Sequence, residues 1–448
     1  MKLIFRLNES TYVLIFFLFL SLLNCIVFLG ENSFVSYVVG ELIIVLFGYD
    51  LLKTKYRLHI YQILLVYFYF SLCITNSFSG FHDEHHFYMK AYVVNLLHFI
   101  FFALGYCFYK YRSIEKIFKN KQNKILSIYL VFSLMVAVLS LNVDTVSEGY
   151  SDRFLAVTAE QARSRLNVID YISGNVFGSL KHIFMFTFSN PFIYSIYNVL
   201  MGSIGYVASG IKGNVLGPVL VLLMVYQFYY KNISVRALLI LFPLALFALA
   251  FLIGTTVFRG QLSLMSLMGI ELEQMKQFLL YFLRSPESRH IFYTADVMGL
   301  IESGDTNLRY GFDYFRFILY PFKGIFENFE YASFVQYPSI LEGKPVNQGQ
   351  YLGFAGELYW NFGYLFFVFS FFLGMALKWF TNLAFSNRAF GVVSYLLLFK
   401  TILWIFYRGI GNELTIVLTM FILAIILFLV LKRLINRFTP LARLFSKW

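Results

Sequence analysis

Apolar runs of about 20 residues recur along this 448-residue chain, and that length is what an α-helix needs to cross the hydrocarbon of a bilayer. Inside the bilayer no water bonds the backbone N–H and C=O groups, so only helices and closed barrels can span it. The runs here are continuous rather than alternating, which selects helices. Hydrophobic residues make up 59% of the chain and charged residues 13%, a balance that soluble domains do not keep. The expected fold is an all-α polytopic integral membrane protein, with 1–448 forming a single membrane domain.

The runs predict about 12 transmembrane helices, near 11–30, 33–52, 58–79, 91–109, 125–143, 170–188, 192–209, 214–230, 236–256, 353–377, 389–407 and 413–431. The first follows Lys2 and Arg6 and lacks a small-residue cleavage site, so it reads as a retained span. Residues 170–209 divide at Ser189-Asn190-Pro191, because Asn-Pro favours a turn. An even number of spans puts both termini on one side, and both are basic, with Lys2 and Arg6 at one end and Lys432, Arg433, Arg437, Arg443 and Lys447 at the other. Short basic loops stay cytoplasmic, so the expected topology is N-in and C-in, with Lys53, Lys55, Arg57, Lys110–Lys124 and Lys378 on the same side. This distribution accounts for the net charge of +12 and removes the nucleic-acid reading. Cys25, Cys73 and Cys107 all fall within apolar runs and form no disulfide or metal spacing.

One stretch breaks the pattern. Residues 257–352 form a large polar loop on the outer face, containing Arg259, Arg284, Arg289, Arg309 and Arg316 among many Tyr and Phe. Apolar residues at helical spacing over 262–283 predict a helix lying along the membrane surface. After Pro286, Arg289, Arg309 and Arg316 are interleaved with Tyr293, Tyr310, Tyr314 and Tyr320. Guanidinium forks grip phosphate bidentately and flat rings can stack on sugars; the bland alternative is an interfacial aromatic belt with paired arginines.

Other candidates lie at helix ends. Lys212-Gly213, Arg259-Gly260 and Arg408-Gly409 are expected at the outer face. A cation beside a helix N-terminus, with glycine opening the backbone, is a ready anion site; snorkelling to headgroups is the competing role. Glu357 and Asn361 lie one turn apart where a span begins, and a carboxylate there reads as a general base or as a counter-ion to an arginine. Glu41 and Lys181 fall inside spans. His82-Asp83-Glu84-His85-His86 has metal-ligand residue types, yet consecutive residues on a short loop cannot all face one ion, so no metal is assigned.

Three stretches give the chain a family resemblance. Ser209-Gly210-Ile211-Lys212-Gly213 resembles a Ser-Arg-Gly element, with Lys where the family has Arg. Tyr310-Gly311, Tyr320-Pro321-Phe322-Lys323 and Lys344-Pro345 resemble a loop that usually carries Pro-Arg. Gly356-Glu357-Leu358-Tyr359-Trp360-Asn361-Phe362-Gly363 resembles a Gly-Glu-x-Tyr-x-Asn-Phe-Gly start of a span. Together they resemble the O-antigen polymerases, the Wzy-type oligosaccharide repeat-unit polymerases of bacterial inner membranes. Some members also carry an Arg followed eleven positions later by Gly in two periplasmic loops, and Arg163 with Gly174 fits that spacing.

The resemblance implies a glycosyltransferase, independent of metal or other cofactor, that polymerises undecaprenyl-pyrophosphate-linked repeat units at the periplasmic face, making 257–352 a large periplasmic loop. It implies catalytic roles for Glu357, Arg289 and Arg309, and pyrophosphate or substrate binding by Lys212, Arg259, Arg284, Arg408, Arg163 and Arg165. Implied partners are the lipid-linked oligosaccharides, membrane lipids, a chain-length regulator and a flippase. Alternatives are a lipid-linked oligosaccharide flippase, an O-antigen ligase, or a transferase using acids of an outer loop such as Asp83 and Glu84.

Overall fold

The computed structural model describes residues 17–25, 34–54, 58–74, 86–108, 129, 132–133, 180–186, 189–209, 213–230, 290–312, 314, 352–385, 389–408, 425–426 and 429–430. Among these every regular element is helical. In chain order they are α1 (17–25), α2 (Phe34–Lys53), α3 (Ile60–Phe68), α4 (Tyr88–Phe108), α5 (180–186), α6 (Pro191–Ser209), α7 (Gly213–Tyr229), α8 (His290–Glu302), α9 (Gly353–Phe362), α10 (Phe366–Phe385) and α11 (Ala389–Arg408). The 20 residues of α2, rising about 1.5 Å each, reach about 30 Å, the thickness of the hydrocarbon layer. Phe34–Lys53, Tyr88–Phe108 and the 32-residue run Gly353–Ala384 are long and apolar enough to cross a membrane, and Ile60–Cys73 and Gly217–Tyr229 are shorter apolar helices. The expected span at 236–256 and the surface helix at 262–283 lie outside the described residues, and 125–143 and 413–431 are described at only a few positions.

The chain divides into two compact units. The first is Met1–Ala103 with Asn232–Thr306; the second is Leu104–Lys231 with Asn307–Trp448. In the first unit α3 runs on as a π-helical turn, Tyr69–Ile74, and both pack against α2. Two polar clusters pin these segments. Asp50, at the end of α2, bonds His59 Nε2 at 2.6 Å and accepts from Gln62 Nε2 at 3.0 Å. His59 N-caps α3, and its backbone N–H donates to Gln62 Oε1 at 3.3 Å. Asp50, His59 and Gln62 are all buried. Nothing in the apolar pattern announces this cluster; its trace in the sequence is one acid and one imidazole on either side of a short basic turn. In the other cluster Glu41 accepts from Ser21 Oγ and Asn24 Nδ2, both at 2.8 Å, while Tyr69 donates to Asn24 Oδ1 at 2.9 Å. Gly40 makes room for Asn24, since a Cβ there would collide with the amide.

The helix α8 departs from expectation. It begins directly after Arg289, inside the stretch expected to present tyrosines and arginines outward. Instead His290, Tyr293 and Thr294 are buried. Within the first unit Asn95 bonds Thr294 at 3.3 Å, the rings of Tyr88 and Phe292 lie 5.1 Å apart, and exposed Lys90 pairs with Glu302 at 3.6 Å. The sequence signal was present but weak: Ile291, Ala295 and Met298 recur at helical spacing.

In the second unit α6 packs along α7, α7 along α11, and α11 along α9 and α10. The predicted break at Ser189-Asn190-Pro191 is present: α5 stops before it, and Asn190 Oδ1 accepts from the N–H groups of Phe192 and Ile193 at 3.0 and 3.2 Å. Pro191 occupies the first helical position, where it lacks only a donor that would be unbonded anyway. Lys181 is exposed, with Nζ 6.0 Å from the Tyr197 ring centre.

The span drawn at 353–377 falls within the apolar run Gly353–Ala384, which Gly363, at φ 56 and ψ −137, divides into α9 and α10 through a short 3-10 turn, Gly363–Leu365. One expectation needs correction. Lys378, assigned to a short cytoplasmic loop, lies within α10 at 2% exposure, with its ammonium 4.3 Å from the Tyr106 ring centre. An aromatic face partly replaces the water that a buried ammonium loses.

Candidate functional site

The second unit brings residues 307–312 onto the end of α9. A continuing helix would use the Trp360 carbonyl as the acceptor for residue 364. Because the chain turns at Gly363, that carbonyl is released, and the Arg309 N–H donates to it at 3.0 Å. The loop then reverses at Tyr310-Gly311, which have φ of 50 and 79. Phe312 N–H closes the turn onto Arg309 O at 2.9 Å, and Tyr314 N–H bonds Gly311 O at 3.1 Å. Two glycines permit this close approach: a Cβ on Gly311 would lie 3.0 Å from Phe362 Cε1, and one on Gly363 would lie 3.0 Å from Leu308 Cδ1.

The side chains gathered here are polar inside and aromatic outside. Glu357 is 1% exposed within α9. One turn later Asn361 is equally buried, and its Nδ2 donates to the Glu357 carbonyl at 3.0 Å. That bond leaves Asn361 Oδ1 buried with no donor among the described residues. Arg309 is half-buried, and its Nε is a buried donor with no acceptor among the described residues. Tyr314 stacks on Phe362 at 5.8 Å, and Phe362 on Phe369 at 3.7 Å. Tyr310 at 81% exposure, Phe312, Tyr364 and Leu365 stand outside as an apolar rim. A cation beside exposed rings suits a ligand that is polar at one end and greasy at the other.

Of the residues singled out in the sequence, Arg309 and Glu357 are thus brought to adjoining segments. Arg408 is the last residue of α11, and Phe406 two residues before it meets Phe354 of α9 at 5.6 Å, so the end of α11 lies beside the start of α9. Arg289, Lys212, Arg259, Arg284, Arg163 and Arg165 lie outside the described residues, as do His82, Asp83, Glu84 and His85. Among the described residues no group of three or more His, Cys, Asp or Glu is placed to hold a metal ion.

The described residues form an all-helical chain with three helices long and apolar enough to cross a membrane, and buried polar residues gather at the break between α9 and α10. Comparison with protein-family models, with curated proteins and with solved structures gives no match. The likeness to the repeat-unit polymerases rests on the three short stretches quoted above, and one of them, residues 356–363, forms the floor of this site.

Proposed function

We propose that the chain is a glycosyltransferase that polymerises undecaprenyl-pyrophosphate-linked oligosaccharide repeat units at the periplasmic face of a bacterial inner membrane, with about twelve spans and both termini cytoplasmic. The observation that carries this reading is the seating of the Arg309 loop on α9 beside Glu357 and Asn361, under an exposed aromatic rim. In this reaction the bond between the anomeric carbon of the donor glycan and its pyrophosphate oxygen breaks. A hydroxyl of the incoming lipid-linked unit forms the new glycosidic bond. Its proton passes to Glu357, and undecaprenyl pyrophosphate leaves with the bonding electron pair. Negative charge grows on the leaving oxygen in the transition state, where a fixed guanidinium is worth more than in water. Arg309 supplies that charge, with Arg289 and the cations Lys212, Arg259, Arg284 and Arg408 holding the pyrophosphate, and Arg163 and Arg165 the second substrate.

The test is complementation of a host from which the gene is deleted. Arg309→Ala abolishes long-chain polysaccharide and leaves single repeat units on the lipid acceptor, while the protein still inserts to normal level. Unchanged chain length in that variant refutes the reading. The Glu41 carboxylate inside α2 is the one observation favouring a flippase; in that case deletion leaves lipid-linked units stranded on the cytoplasmic side.

A further inference from the structure

Asn361 has one job visible in the fold and one that is not. Its Nδ2 is committed to the Glu357 carbonyl at 3.0 Å. This bond fixes the amide and also settles which end is oxygen, since two carbonyl oxygens would repel each other at that distance. Oδ1 is therefore a buried acceptor with no donor among the described residues, on a side chain 1% exposed. The residue before it, Trp360, accepts the Arg309 N–H, which ties Arg309 to the same end of α9. The Arg309 Nε is the reciprocal case, a buried donor with no acceptor among the described residues. Buried polar groups in folded proteins nearly always find partners, and leaving both unsatisfied is costly.

The two orphans differ in what they ask of a ligand. An ionised phosphate can accept from Arg309 but has no proton to give Asn361. A sugar hydroxyl has that proton, so the anion answers the donor and a hydroxyl answers the acceptor. The exposed rings of Tyr310, Phe312 and Tyr364 beside them offer flat faces to a sugar ring. We propose that Asn361 Oδ1 accepts from a hydroxyl of the acceptor sugar next to the attacking one and so fixes the ring for attack, orienting the carbohydrate while arginine holds the anion. The proposal rests on the polymerase reading and assigns the acceptor side of the same site.

The experiment uses the full chain in lipid nanodiscs with lipid-linked repeat units extracted from the native host, following product length. Asn361→Leu removes Oδ1 and the donor to the Glu357 carbonyl, and synthetic acceptor units with single hydroxyls replaced by hydrogen remove the proposed partner instead. Expected is a loss of about tenfold or more in the rate at limiting substrate for Asn361→Leu with the intact acceptor, a similar loss in the parent with one deoxy acceptor, and no further loss when the two are combined. Inhibition by inorganic pyrophosphate stays the same in the variant. If Asn361 serves only the bond to the Glu357 carbonyl, or holds only a trapped water, Asn361→Leu lowers the rate by the same factor with every acceptor or not at all, and the proposal is overturned. If the parent chain makes no polymer from its own repeat units, the polymerase reading itself fails. That outcome is distinct from a parent that polymerises and an Asn361→Leu variant that does so equally well.

Discussion

Replacing Gly311 with alanine probes whether the Arg309 loop is held on α9 by geometry rather than by chance contact. At φ 79 an alanine in the left-handed region costs about 1 kcal/mol. Its Cβ would lie 3.0 Å from Phe362 Cε1 and 3.2 Å from Cζ. The Phe362 ring cannot retreat easily, because Phe369 stacks behind it at 3.7 Å and Tyr314 lies against it at 5.8 Å. Overpacking of that kind costs about 1–3 kcal/mol. The sum, about 2–4 kcal/mol, raises the population of the detached loop by about 30- to 1,000-fold. Hydrogen exchange of the peptide containing the Arg309, Phe312 and Tyr314 amides reads this directly in nanodiscs, because each of those N–H groups is bonded in the seated loop. Gly304 is the control. It has φ 81, but a Cβ there meets nothing within 4 Å, so Gly304→Ala carries the conformational cost alone and opens its own turn about tenfold or less. If Gly311→Ala exchanges no faster than the parent, or opens no more than Gly304→Ala does in its turn, the argument that Gly311 and Phe362 lock the loop is wrong.

Two further predictions concern the helices. His59→Ala leaves Asp50 buried without its 2.6 Å partner and should destabilise the first unit by about 3–5 kcal/mol, read as a fall in thermal melting temperature in detergent that Asp50→Asn in the same chain partly reverses. Gly105→Ala drives a Cβ into the Phe371 carbonyl, where backbone cannot swing aside; with small residues setting helix approach in membranes, it should lower the yield of folded protein, and wild-type melting behaviour would contradict that packing.

The repeat length and continuity of the apolar runs decided most of what the sequence could decide. Helix and not strand, apolar runs of spanning length, and the break at Asn190-Pro191 follow from hydropathy, from the shape of proline and from side-chain capping, all of which act within a few residues. Glu357 and Arg309 could also be singled out there, because a carboxylate at the start of a span and an arginine among tyrosines are conspicuous wherever they lie. What local pattern could not give was partnership across distance. Asp50 with His59, Glu41 with Asn24 and Tyr69, and Lys378 over Tyr106 depend on which apolar faces meet, and one apolar helix resembles another too closely for sequence to choose. The same limit applies at the site. The segment 356–363 reads as the opening of a single long span, but Gly363 turns the chain and frees the Trp360 carbonyl. Only the fold then supplies the N–H that takes it, from a residue about fifty positions earlier, which ties Arg309 to the end of the helix that carries Glu357 and Asn361.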